Sequence, residues 1–298
     1  MRKAFLQLHV AIFLAGFTGI LGRLITLNEG LLVWYRMMFS TLGLLLLASF
    51  SGGIPRAGKG KWLPLLGVGA IIALHWVFFY GSIKYANVSI SLVCFSAVGF
   101  FTSLLDPIMS HRRINYVEVA LGILVMFGIY LIFHFEGQYK VGIMLGVISS
   151  LLAATFTILN KKLIDQHGTN TVTLYEMGGG TLALTILLPF YVYQFPPDHF
   201  IPTGNDFFWL LILSFLCTVF AFRLSLDALK KISPFTVNLS YNLEPVYGII
   251  LAFVVYQENK FLGKGFYIGF AIILLTVLLQ SWRVWMIHRK GNLNAKNK

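Results

Sequence analysis

Charged side chains interrupt the long apolar runs of this 298-residue chain at a few points, and those points are where chemistry can occur. Glu244 lies near the middle of one such run and is followed by Pro245, which cannot donate to a helical hydrogen-bond ladder. A carboxylate in apolar surroundings is costly and usually faces the protein interior. Glu244 is therefore a candidate for exchanging protons or for binding an ammonium group. Its alternative role is structural, as an acceptor for backbone donors near Pro245.

Arg36 and Glu176 occupy related positions in two similar segments, Tyr35-Arg36-Met37 and Tyr175-Glu176-Met177. The guanidinium group of Arg36 is suited to attracting a carboxylate from a ligand, and Glu176 is suited to acting as a gate or a coupling acid. The alternative for both is a long side chain that anchors a helix end at an interface.

A polar stripe is predicted on the helix that precedes Glu244. Asn238, Tyr241 and Asn242 have i, i+3, i+4 spacing and share one helix face. They could line a cavity and hydrogen-bond a polar ligand. Polar residues in apolar helices also join neighbouring helices to each other, which is the alternative for this stripe.

An aromatic face with one imidazole is predicted further upstream. His75 and Phe79 share a helix face, and Tyr80 lies on the neighbouring strip. This arrangement favours a pocket for an amphiphilic molecule, whereas the alternative is packing around one hydrogen-bonded histidine. Pro245 and Gly179, the centre of a run of three glycines, are candidate hinges; for the glycines the alternative is a tight helix crossing.

The elements that must position these residues are membrane helices. The chain is 57% hydrophobic and 11% charged, so a soluble core could not bury its apolar surface. A helix that crosses the bilayer needs about 20 apolar residues. The apolar runs predict ten spans: 5–25, 31–50, 62–83, 86–109, 116–134, 141–160, 172–193, 207–229, 234–256 and 264–286.

Basic residues predict the orientation of these spans rather than nucleic-acid binding. With the first residue inside, 16 of the 23 Lys and Arg residues fall on the cytoplasmic side and 5 on the outer side, and 2 lie within spans. This bias predicts that both termini are cytoplasmic and that the number of spans is even. The two cysteines lie in apolar runs, and neither a disulfide framework nor metal-ligand spacing is present, so no metal and no cofactor are expected.

The two halves of the chain resemble each other. Besides the segments around Arg36 and Glu176, Leu14-Ala15 matches Leu152-Ala153 in the same order along the chain. Five spans per half is an odd number, so the second copy must enter the membrane from the opposite face. We predict an all-α polytopic membrane protein with two inverted five-helix repeats, 1–138 and 139–298, around a central cavity and with a basic cytoplasmic tail at 287–298.

The segment from Leu243 to Glu258 resembles the second repeat of EamA-type proteins of the drug/metabolite transporter superfamily. It contains Glu244-Pro245-Val246, a run of apolar residues and a closing glutamate, and the resemblance extends over the whole chain in length and span number. It implies a ten-helix bundle whose central cavity opens alternately to each side. It also implies similarity to exporters of amino acids and related metabolites, often driven by protons or other gradients.

These observations together predict a secondary transporter of a small metabolite in a bacterial inner membrane. The expected partners are the substrate, the lipid bilayer and protons as coupling ions, with the chain acting as a monomer or a homodimer. Export is the expected direction, and an uptake permease, a channel or a receptor are the alternatives. No nucleophile elbow or zinc-protease motif is present, so an enzyme is not expected.

Overall fold

The computed structural model describes residues 2–50, 54, 56–58, 61–241 and 243–296. Those residues form α helices and short helical turns, with no β-strand among them. In chain order the α helices are α1 (Arg2–Leu24), α2 (Glu29–Phe50), α3 (Trp62–Tyr85), α4 (Val88–Phe95), α5 (Val98–Ser110), α6 (Tyr116–Phe135), α7 (Lys140–His167), α8 (Thr169–Gln194), α9 (Gly204–Ser214), α10 (Ala221–Leu229), α11 (Pro234–Tyr241), α12 (Glu244–Tyr256) and α13 (Lys264–Lys296).

The described helices have the length and composition of membrane spans. Eight helical stretches are long and apolar enough to cross a bilayer, and two shorter apolar helices, Glu244–Tyr256 and Lys264–Gln280, lie in the ninth and tenth predicted spans. Large apolar side chains such as Phe190 and Phe50 are exposed, as expected for helices whose outer surface faces lipid rather than water. The prediction of an all-helical membrane protein is confirmed in the described residues.

Polar caps set the start of several helices. The Asn87 side chain accepts a hydrogen bond from the Ile90 amide at 2.8 Å and so begins α4. Thr203 and Asp206 exchange side-chain and backbone hydrogen bonds at the start of α9, a reciprocal capping box. Helix α7 continues to His167, beyond the predicted end at 160, because the loss of apolar character marks the edge of the bilayer and not the end of the hydrogen-bonded helix.

Two predicted spans are interrupted helices, and the interruptions are related by a constant offset. The fourth span consists of α4 and α5, and the ninth consists of α11 and α12. Adding 146 to the bounds of α4 and α5 gives the bounds of α11 and α12. The left-handed residues that follow α5 and α12, His111 and Gln257, are separated by the same 146 positions. The two halves therefore repeat the same local backbone pattern in this region.

Helix α3 lies among several neighbours and packs closely on α7 and α8. At the crossing of α3 and α8 the backbones touch, since Gly69 lies against the Glu176 backbone and Gly179 against the Leu66 backbone. A Cβ atom at either glycine would overlap the opposite helix. Small residues at such a crossing permit the close approach by which membrane helices associate. The crossing holds α3, which carries the aromatic face, next to α2 and α8.

Candidate functional site

A cavity of about 100 Å³ lies between helices from both halves of the chain. This volume has room for several water molecules or a small organic molecule. Its wall is largely apolar and aromatic, with a few polar and charged groups. The lining includes Thr18, Arg36, His75, Trp76, Phe79, Phe95, Phe156, Thr157, Cys217, Phe222, Ser225, Asn238, Tyr241 and Glu244.

Arg36 supplies the positive charge of the cavity and is only 2% exposed. Its Nε donates to Thr218 Oγ1 at 2.7 Å, and its Nη1 donates to the Tyr80 hydroxyl at 2.7 Å. The guanidinium carbon lies 3.7 Å from the centroid of the Trp76 ring, a cation–π contact. These partners are all neutral, and no ion pair of Arg36 is found within the described residues. The arginine is thus held in place while its charge remains available to an anion.

A local irregularity of the backbone positions Thr218. Residues Phe215–Phe220, between α9 and α10, form a π-helical turn, a widening that is frequent at functional sites. Thr218 Oγ1 donates to the Leu213 carbonyl at 2.7 Å, which leaves the oxygen lone pairs free to accept from Arg36. The same turn exposes the Cys217 side chain to the cavity.

Glu244 supplies the acidic group of the cavity. It is the first residue of α12, is 4% exposed and lines the same cavity as Arg36. The two side chains line one cavity, yet they are not within the 4.0 Å of an ion pair in the described residues. The cavity therefore presents a basic group and an acidic group that a bound molecule could bridge.

His75 anchors the aromatic wall. Its Nδ1 lies 2.9 Å from the Ser149 carbonyl oxygen and 2.8 Å from the Ser149 hydroxyl. Because a carbonyl only accepts, Nδ1 is assigned the proton, and Nε2 remains for another partner. The imidazole ring lies 5.4 to 6.3 Å from the centroids of Phe79, Phe95 and Phe156. This wall suits an apolar or aromatic group of a ligand.

The structure brings most of the predicted binding residues to this cavity. Arg36, His75, Phe79, Asn238 and Tyr241 all line it. Asn238 is also buried, and its amide donates to Thr102 Oγ1 on α5 at 2.9 Å, so it joins two helices as well.

Tyr80 and Asn242 are the two remaining predicted binding residues. Tyr80 is fully buried, is absent from the described wall of the cavity and accepts a hydrogen bond from Arg36. Asn242 lies outside the described residues.

Comparison with known proteins identifies the chain. The model of the EamA-like transporter family matches it twice, over residues 2–134 and 140–282. The chain belongs to the EamA-like transporter family. An uncharacterized transporter of Archaeoglobus fulgidus is 23% identical over 257 residues, which cover 84% of this chain and 88% of the relative. A second uncharacterized transporter of that organism is 27% identical over 150 residues, or 49% of this chain and 51% of the relative.

A solved crystal structure shares the fold of this EamA-like protein. It superposes with a TM-score of 0.66 at 16% sequence identity and covers 93% of this chain and 96% of that one. At this identity the likeness concerns the fold alone. Family membership makes the chain a multi-pass membrane protein of a transporter family, with a small molecule as the substrate class.

Glu176 lies outside the cavity of this EamA-like protein. Its side chain is 0% exposed, and Asn160 Nδ2 donates to Glu176 Oε2 at 3.3 Å. Within the described residues neither Glu176 Oε1 nor Asn160 Oδ1 has a hydrogen-bond partner. A buried oxygen without a donor is costly.

The two candidate hinges lie in different environments. Pro245 stands in the first turn of α12, directly after the interruption that separates α11 from α12. Gly179 lies in the tight α3–α8 crossing, which is the alternative described for the glycine run. Its role as a hinge stays a prediction.

The closing glutamate of the family motif joins the two halves. Glu258 is buried and accepts from the Val88 amide at 3.1 Å and from the Ser89 amide at 2.9 Å, both in the first turn of α4. It also forms an ion pair with Arg23 at the end of α1. A carboxylate at a helix N-terminus satisfies free amides and complements the helix dipole. Glu258 thereby attaches the end of α12 to the start of α4.

Several residues of the site were not predicted from the sequence. Thr218 holds Arg36, and Cys217, Phe156 and Phe222 line the cavity. Thr218 could have been noticed as a hydroxyl within the apolar run 207–229, since such groups in membrane helices form interhelical contacts. The aromatic residues carry no such signal, because 15% of the chain is aromatic.

Proposed function

We propose that this EamA-like protein is a secondary transporter that exports small zwitterionic metabolites, amino acids in particular, by alternating access. The observation that carries the proposal is the pair of unmatched charges in one cavity. Arg36 and Glu244 are both buried, line the same aromatic space and do not form an ion pair with each other in the described residues.

An α-amino acid complements each feature of this cavity. Its carboxylate can take the free N–H donors of Arg36, whose planar fork is suited to carboxylates. Its ammonium group can bind Glu244, and an apolar side chain can lie against His75 and the neighbouring phenylalanines. A cavity that excludes water strengthens both charged contacts relative to their strength in solution.

The architecture that we propose has ten spans in two inverted repeats, 1–138 and 139–298. The two separate matches to the family model and the 146-residue offset between the interrupted helices support the repeat. Interrupted helices near a binding site are typical of alternating-access transporters. The basic residues of the short loops and of the tail 287–298 favour cytoplasmic termini in a bacterial inner membrane.

Protons are the proposed coupling ion, with Glu244 as the site of exchange and Glu176 as a second coupling or gating acid. A proton and a substrate ammonium group would compete for Glu244, so that binding of one releases the other. Movement at the α11–α12 interruption beside Pro245, with Gly179 as a second hinge, would open the cavity to either side. Monomeric and homodimeric forms both fit this scheme.

Transport in proteoliposomes tests the coupling. Purified wild type and Glu244→Gln would be assayed for amino-acid counterflow and for uptake driven by an imposed pH gradient, with the exposed Asp198→Asn as the matched control. We expect Glu244→Gln to retain counterflow at saturating substrate and to lose the response to the pH gradient, and Asp198→Asn to retain both. A Glu244→Gln protein that still responds to the gradient would exclude this residue as the coupling site.

Metabolite analysis of the culture medium tests substrate and direction. Cells that express wild type are compared with cells that express Glu244→Gln and with cells that carry an empty vector, after the protein is confirmed in the membrane. Enrichment of an amino acid outside only with wild type supports export. Depletion from the medium would instead support uptake of the same class, and enrichment of an uncharged metabolite would contradict the zwitterion proposal.

A further inference from the structure

A second chamber, distinct from the central cavity, lies between α5, α6, α11 and α13. Its volume is about 340 Å³. The basic loops predict that this end of the helices is cytoplasmic. The charged and amide residues of its wall are Asp106, Arg112, Arg113, Asn115, Glu118, Gln280 and Arg283.

The chamber has an excess of positive charge. Arg112 Nη1 lies 3.9 Å from Asp106 Oδ2, and Arg283 Nη1 lies 3.7 Å from Glu118 Oε1. Arg113 is exposed and has no carboxylate within 4.0 Å among the described residues. Three arginines against two carboxylates leave one net positive charge, which a monoanion would neutralise.

An unsatisfied donor points to the same kind of ligand. Gln280 is 2% exposed and lines the chamber. Its Oε1 accepts from Arg283 Nη1 at 3.3 Å, whereas its Nε2 has no acceptor within the described residues. A buried N–H group without a partner is costly, and an oxygen of an anionic ligand would supply the missing acceptor.

The chamber continues into an apolar slot. The slot shares Glu118, Phe235 and Gln280 with the chamber and continues between α5 and α6 along Phe100 and Gly122. Its volume is only about 20 Å³, and Gly122 packs against the Phe100 backbone there, so the slot is too narrow for an acyl chain.

Large apolar side chains on the surrounding helices are exposed. Ile108, Tyr116 and Trp282 lie on α5, α6 and α13 respectively, in the part of each helix that carries the chamber residues. The chamber is thus bordered by surface that suits acyl chains rather than water.

We propose that this chamber binds the phosphate headgroup of a membrane phospholipid, with the acyl chains against the exposed apolar surface of α5, α6 and α13. A phosphodiester carries one negative charge and several acceptor oxygens, which match the net charge and the free Gln280 donor. Basic chambers between membrane helices on the cytoplasmic side are suited to anionic headgroups. The proposal does not depend on the transported substrate.

Native mass spectrometry of the full-length protein in neutral detergent tests the proposal. Phosphatidylglycerol is titrated against wild type, Arg113→Gln, Gln280→Glu and the control Lys231→Gln, an exposed residue outside the chamber. We expect one lipid per wild-type chain, binding weakened roughly tenfold in Arg113→Gln and Gln280→Glu, and no change in Lys231→Gln. Arg113→Gln removes an exposed side chain, so its effect would not arise from misfolding.

Two further kinds of ligand show whether binding needs the phosphate, the acyl chains or both. Diacylglycerol carries the acyl chains without the phosphate, and inorganic phosphate or glycerol phosphate carries the anion without the chains. We expect neither to bind at concentrations that saturate phosphatidylglycerol binding. Equal binding of free phosphate would overturn the acyl-chain part of the proposal. Equal lipid binding by wild type, Arg113→Gln and Gln280→Glu would overturn the whole.

Discussion

Replacement of Arg36 by Gln removes the only charge that the central cavity offers to a substrate carboxylate among its described lining residues. A hydrogen bond to a charged group contributes about 1.5–3 kcal/mol. At 1.4 kcal/mol per tenfold, loss of one such bond should weaken binding of a zwitterionic substrate by about 10- to 150-fold. Arg36→Lys keeps the charge but loses the planar fork that reaches Thr218 and Tyr80 together. We therefore expect Arg36→Lys to lie between wild type and Arg36→Gln.

A set of three ligands separates recognition from structural damage. Phenylalanine has both charges, phenethylamine lacks the carboxylate and 3-phenylpropanoate lacks the ammonium group. Arg36→Gln should weaken phenylalanine and 3-phenylpropanoate and leave phenethylamine unchanged, whereas Glu244→Gln should weaken phenylalanine and phenethylamine. Affinities measured by competition with radiolabelled substrate in detergent provide the comparison. The exposed Arg223→Gln is the matched control.

One result would refute this reasoning. If Arg36→Gln weakens the binding of all three ligands equally, the arginine stabilises the cavity wall through its two hydrogen bonds and its contact with Trp76. It then does not bind the substrate carboxylate. Thermal unfolding of the same preparations shows whether such a uniform loss follows from a lower stability.

The remaining predictions concern the cavity, the helix crossing and the buried acid. In a Cys94→Ala protein, a small polar thiol reagent should modify Cys217 in the cavity, and substrate should slow the reaction. If substrate does not change the rate of labelling, Cys217 lies outside the binding site. Gly179→Ala should destabilise the α3–α8 crossing by about 1–3 kcal/mol, whereas the neighbouring Gly178→Ala, where a Cβ has room, should unfold at the wild-type temperature; equal melting temperatures would contradict the tight crossing. Glu176→Gln should keep the wild-type melting temperature because the amide adds a donor. Glu176→Leu should lower the free energy of unfolding by about 1–3 kcal/mol, because Asn160 loses its acceptor. A Leu variant as stable as wild type would show that this hydrogen bond contributes nothing to stability.

The positions of the membrane helices followed well from the sequence. Apolar length is a strong signal, and the run predicted at 62–83 is helix α3, Trp62–Tyr85. The break before Glu244 also had a visible cause in Pro245. The break between α4 and α5 had none, because Ser96 and Ala97 occur in continuous helices as well. It became recognisable only through its relation to the second half at the 146-residue offset.

The central cavity was predictable residue by residue but not as an arrangement. A charged residue within a membrane span indicates a functional position, and Arg36 and Glu244 were each predicted separately on this ground. Their convergence on one cavity depends on how α2 and α12 pack, which no local pattern encodes. For the same reason the hydrogen bond between Tyr80 and Arg36 could not be foreseen, and the contact of Tyr80 with substrate stays a prediction. A helical wheel assigns a face to a residue but not the neighbour that meets that face.

The partners of Arg36 also bear on how the chain enters the membrane. A lone arginine within a span raises the cost of insertion, by up to about 2.5–3.5 kcal/mol at the centre of the span. Trp76 and the Tyr80 hydroxyl, which receive this arginine, lie on the helix that is synthesised next. Thr218 and Glu244 emerge from the ribosome much later. A newly made hairpin of α2 and α3 can therefore shelter the charge during synthesis, well before the cavity that uses it exists.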